Sequence, residues 1–76
     1  SDLATALENE EIEGITAMAH KLLPLFTMLG ANTSIAPLTW LEQKRGTTEM
    51  TSEIREKALF ILDEIDRVIR QAEEQI

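Results

Sequence analysis

His20 is the single histidine among 76 residues, and its imidazole is the side chain best suited to chemistry near neutral pH. An unperturbed imidazole has a pKa of about 6.5, so near pH 7 it is largely uncharged and nucleophilic. Three uses are open to it: a packed side chain, a metal ligand, or a nucleophile offered to a partner. The chain has no cysteine, so a zinc site would need carboxylates for its remaining ligands, and none is expected. The serines Ser1, Ser34 and Ser52 stand at helix starts, where they read as caps rather than as partners in a catalytic triad. Glu13 lies two helical turns from His20, beyond direct hydrogen-bond reach in a straight helix. Glu73 and Glu74 read as a solvated tail, and no glycine-rich phosphate cradle or H-E-x-x-H pattern occurs. Autonomous catalysis is therefore not expected.

The elements around His20 are helical. From Glu10 to Leu29 the apolar residues Ile12, Ile15, Ala19, Leu22, Phe26 and Leu29 step by three and four, the mark of an amphipathic helix. Glu10, Glu11 and Glu13 favour its positive end, and Gly30 reads as its stop. Residues 1 to 9 predict a short helix capped by Ser1 or Asp2. Thr33 or Ser34 is expected to cap a third helix running through Ile35, Leu38 and Leu41 to about Lys44, with Pro37 in its first turn. After the polar loop KRGTTEMTS, a long helix carries the apolar stripe Ile54, Ala58, Ile61, Leu62, Ile65, Val68, Ile69, Ala72 and Ile76. No strand, repeat or low-complexity tract stands out. The expected fold is all-α, a single domain over 1–76, packed as an antiparallel up-down four-helix bundle with its first helix truncated.

At about 100° per residue, His20 lies roughly 130° from the centre of the apolar stripe, out in solvent. Ala17, Leu23, Pro24, Thr27 and Met28 cluster above and below it, a small apolar patch on a charged domain and a candidate docking surface. Scattered exposed apolar residues are also ordinary. Pro24, four residues on, removes the amide hydrogen that would bond the His20 carbonyl, at a cost of about 3 kcal/mol. It marks either a special place or a tolerated kink.

Lys and Arg number 7 against 14 Asp and Glu, a net charge of -7, which argues against nucleic-acid partners. No apolar run approaches the roughly 20 residues of a membrane span, and the N-terminal residues lack a signal-peptide layout. A cytoplasmic domain without direct membrane contact is expected.

The stretch AHKLLPLFTMLGA, residues 19–31, resembles the signature of histidine-containing phosphotransfer (HPt) domains, Ala-His-x-Leu-Lys-Gly followed by Leu-Gly-Ala. Ala19, His20, Leu22, Leu29, Gly30 and Ala31 match, and LTWLE, residues 38–42, resembles the Leu-Glu ending of the family's next helix. The likeness runs from about Leu3 onward, with the family's earlier N-terminal helix largely missing. It implies a four-helix bundle in a bacterial two-component phosphorelay. His20 would accept a phosphoryl group from a receiver-domain aspartate and pass it on. The implied partners are response-regulator receivers, which would supply magnesium, so the domain needs no cofactor of its own. A proline in this position resembles the variant found at the ends of hybrid sensor kinases, so the parent could be membrane-anchored. The resemblance puts Ala17, Leu23, Pro24, Thr27 and Met28 against the receiver.

Two departures stand out. The family's lysine is Leu23 here and its glycine is Pro24. Lys21 is a candidate auxiliary cation, although it points about 100° around the helix from His20. The alternatives are an HPt-like module that binds a receiver without being phosphorylated, and a structural helical bundle in which His20 is incidental.

Overall fold

The computed structural model describes residues 2–74, with the Asp2 side chain excepted. Ser1 and Ile76, expected as a cap and as the end of the last apolar stripe, lie outside the described residues. The chain is all-α, with four helices and no strand among the described residues: α1 (Asp2–Glu8), α2 (Ile12–Leu29), α3 (Asn32–Glu42) and α4 (Ser52–Glu74). Packing closes a ring of contacts: α1 lies on α2 and α4, α2 on α3, and α3 on α4, with the α2–α3 pair the most extensive. The core draws Leu3 and Leu7 from α1, Ile15 and Phe26 from α2, Leu38 and Leu41 from α3, and Ile54 and Ile61 from α4. Burying each such side chain stabilises the fold by about 1.5–3 kcal/mol. No helix among the described residues is long and apolar enough to cross a membrane.

The turns explain where the helices end. Gly30 closes α2 with φ 73°, while its amide bonds the Thr27 carbonyl at 3.2 Å and the Ala31 amide bonds Phe26 at 3.0 Å. This pair of bonds with a left-handed residue between is the Schellman arrangement, and glycine adopts it without steric cost. The same arrangement ends α1, where Glu10 bonds Leu7 at 3.2 Å and Glu11 bonds Ala6 at 2.8 Å. Here the left-handed residue is Glu10, with φ 55°. Glu10 therefore belongs to the turn, and α2 begins at Ile12 rather than at Glu10 as the charge pattern suggested. Its carboxylate meets Arg55 at 2.8 Å, tying this turn to α4.

Other expectations are corrected. The residue capping α3 is Ala31, not Thr33 or Ser34, and Ser34 is fully buried inside the helix. Ser34 faces α4 and bonds Glu64, which a solvent-facing cap could not do. Because α3 starts earlier, Pro37 falls in its second turn, and the helix ends at Glu42 rather than Lys44. Ser52 is likewise not a cap: the Ile54 amide donates to Thr51 Oγ1 at 3.2 Å. Finally, the apolar stripe of α4 is not buried along its length. Ile54, Ala58 and Ile61 are buried, but Ile69 and Ala72 are exposed, as is Leu29 on α2. At 1.5 Å per residue α1 spans about 10 Å and α4 about 35 Å. The short α1 covers only the first part of α4.

Two side-chain groupings join α3 to α4. Thr33 and Ser34 donate to Glu64 Oε2 at 3.1 and 3.2 Å, and Arg67 reaches the same oxygen at 2.5 Å. At the other end of α3, Lys44 and Lys57 each stand 4.5 Å from the centre of the Trp40 ring. Cations over an indole face are held by its quadrupole, worth about 0.5–1 kcal/mol at exposed sites.

Candidate functional site

His20 follows Ala19, which is buried, and a step of about 100° turns the imidazole away from the core. Its side chain is 67% exposed. Glu42, the last residue of α3, reaches it: Oε1 lies 2.7 Å from His20 Nδ1. A carboxylate can only accept, so Nδ1 carries the proton and donates. In the neutral ring this leaves the lone pair on Nε2, which has no partner among the described residues. The pairing thus fixes the tautomer and restrains rotation of the ring.

The sequence alone does not pair Glu42 with His20, because the two are 22 residues apart. A signal does exist. Ser34 and Leu38 are fully buried, and Glu42 continues their i, i+4 row to the end of the helix. The row that packs inward lower on α3 ends in a carboxylate at the rim.

His20 opens onto a groove of about 580 Å³ between α2 and the end of α3. Glu13, Thr16, Ala17 and Lys21 line it from α2, and Glu42, Arg45 and Gly46 from α3 and the turn beyond. Lys21, a candidate cation by sequence, therefore shares a groove with His20. No sequence signal marks Arg45. The turn that carries it is fixed by bonds from the Arg45 amide to Glu42 at 3.3 Å and from the Thr47 amide to Lys44 at 3.0 Å. Gly46 then takes φ 90°, in the region that favours glycine.

The five candidate docking residues divide. Ala17 lies in the groove, while Pro24, Thr27 and Met28 are exposed further along α2, Met28 at 85%. Leu23 is half-buried and packs against the core, so it supplies less surface than the sequence suggests. The Thr27 hydroxyl donates to the Leu23 carbonyl at 2.7 Å, leaving its methyl for contact. Among the described residues no group of three or more His, Cys, Asp or Glu side chains could hold a metal ion.

The cluster at Glu64 is of another kind. Glu64 is buried, and its carboxyl is held below the ordinary glutamate range. The hydrogen bond from Arg67 lowers it most, burial works in the opposite direction, and the Thr33 and Ser34 hydroxyls lower it further. Every buried polar side-chain atom among the described residues has a hydrogen-bond partner. The cluster reads as a polar pin between α3 and α4.

Compared with known proteins, the chain matches no family model, no curated protein and no solved structure. The functional reading therefore rests on the residues and their geometry.

Proposed function

We propose that this chain is a histidine phosphotransfer module of a two-component phosphorelay, an up-down four-helix bundle of the HPt kind with a short first helix. The observation that carries the reading is the Glu42–His20 hydrogen bond, which leaves Nε2 of an exposed imidazole with its lone pair unengaged. The ring of contacts among the four helices supports the bundle.

In the proposed step, Nε2 attacks the phosphorus of a receiver's aspartyl phosphate. The Nε2–P bond forms as the P–O bond to the aspartate breaks, and the carboxylate leaves with the electron pair. The ring becomes a cation that keeps its Nδ1 proton, and Glu42 offsets that charge across 2.7 Å. Return transfer to a second receiver reverses the same bonds. The receiver brings magnesium and its own cations. The domain contributes position, which accounts for much of catalysis in phosphoryl transfer. Ala17, Pro24, Thr27 and Met28 form the apolar surface on which the receiver docks, with Leu23 beneath it. The parent would be a hybrid sensor kinase, with this domain in the cytoplasm.

A second reading, a module that binds a receiver without taking up phosphate, is favoured by one observation. Leu23, where the resemblance expects a lysine, packs against the core and cannot hold a phosphoryl group. Incubation with phosphorylated receivers separates the two. Acid-labile label on wild type but not on His20→Gln supports phosphotransfer. Binding without label supports the second reading, and neither binding nor label leaves a structural bundle.

A further inference from the structure

The chain has seven basic side chains among its 76 residues. Four are spent on ion pairs: Arg55 with Glu10, Lys57 with Glu53, Arg67 with Glu64 and Arg70 with Asp66. Lys44 lies over Trp40. The remaining two, Lys21 and Arg45, have no side-chain partner among the described residues, and both line the groove into which His20 opens. In a chain with 14 Asp and Glu side chains, these two cations thus share one groove with the imidazole. The groove's own carboxylates are Glu13 and Glu42, and Glu42 is engaged with His20. Counted with a neutral imidazole, the groove balances at zero while the chain stands at -7.

We propose that Arg45 and Lys21 are the cations that hold the phosphoryl group on His20, taking the place of the lysine that Leu23 displaces. The proposal rests on the reading of His20 as the phosphoryl acceptor. Phosphorylation puts a dianion in the groove, and unpaired guanidinium and ammonium groups are the donors such a group requires. Arg45 is the stronger candidate, because its planar fork can give two parallel hydrogen bonds to phosphoryl oxygens. The Gly46 turn keeps it one helical turn beyond Glu42, so the group that holds the ring and the group that holds the phosphate come from one short segment. Lys21, on α2 beside His20, supplies a point charge from the other wall. Both are positioning residues that act on the phosphoryl oxygens.

The test avoids the receiver. Potassium phosphoramidate phosphorylates histidine directly: Nε2 attacks phosphorus, the P–N bond breaks, and ammonia leaves. The product is followed by ³¹P NMR as pH is varied, for wild type, Arg45→Gln, Lys21→Gln and the double variant, with His20→Gln as the blank. A phosphate monoester has its second ionisation near pH 6. Adjacent cations favour the dianion, so the wild-type midpoint is expected about half a pH unit below that of the double variant, with Arg45→Gln giving most of the change. Coincident midpoints in wild type and double variant overturn the proposal. So does a wild-type chain that takes up no phosphoryl group at His20. Circular dichroism shows that the variants are folded. The relay reading fails separately: a chain labelled by phosphoramidate but by no receiver sinks it while the shifted midpoint stands.

Discussion

Glu42 and His20 stand 22 residues apart in the chain and 2.7 Å apart in space, and the bond between them decides which imidazole nitrogen is exposed. Replacing Glu42 by Ala frees the ring to rotate and to exchange tautomers. Transfer from a receiver is expected to slow about tenfold, the equivalent of about 1.4 kcal/mol. Phosphoramidate is expected to label Nδ1 as well as Nε2, two products that ³¹P NMR resolves. Glu42→Gln retains an acceptor and should keep the selectivity for Nε2 while losing part of the rate. Stability should change by less than about 0.5 kcal/mol in either variant, because the pair is solvent-exposed.

Glu64 should make stability fall with acid. Its folded value is depressed, so its contribution is fully present above the unfolded glutamate value of about 4.3 and is lost as pH falls through the lower folded value. Urea midpoints of wild type and Glu64→Gln are expected to differ most above the unfolded value of about 4.3 and to draw together as the pH is lowered below it. A gap that stays constant across that range would show that the ionised form of Glu64 adds nothing. Ser34→Ala removes one buried donor and should cost about 1–2 kcal/mol at neutral pH.

Gly14 of α2 packs against Ala6 of α1. A Cβ there would lie 2.8 Å from the Ala6 methyl, closer than two carbons tolerate. Alanine gains up to about 1 kcal/mol of helix propensity over glycine, while overpacking costs about 1–3 kcal/mol. The clash wins, so Gly14→Ala is expected to destabilise the chain. Adding Ala6→Gly removes the methyl it meets and should restore much of the loss in urea melts.

Thr51, not Ser52, caps α4. Thr51→Ala should therefore cost about 1 kcal/mol and Ser52→Ala a few tenths at most, compared by thermal or urea melts. The reverse order would mean that the cap is misassigned.

These particulars show what the sequence could and could not convey. The body of α2 was legible because its burial follows a period of 3.6 residues and Gly30 supplies the left-handed stop. Its start was not, because the left-handed turn falls on Glu10, a residue type that rarely adopts it. Ser34 looked like a cap because serine commonly is one. Its actual partner, Glu64, lies 30 residues away and is set by the register of α3 against α4. Glu42 escaped notice for the same reason. His20 itself was legible as an exposed imidazole, since exposure depends on one helix alone. The groove and its two cations depend on two helices and a turn.

Trp40 has a practical consequence. It is the single tryptophan, and at about 100° per residue it lies roughly 200° around α3 from Glu42. The indole therefore watches the α3–α4 junction, between Lys44 and Lys57, while the imidazole works on the opposite side of the same helix. Its fluorescence is an internal gauge of folding that substitutions around His20 should leave untouched. A groove variant that loses activity with unchanged emission has lost chemistry; one whose emission shifts to the red has lost its scaffold.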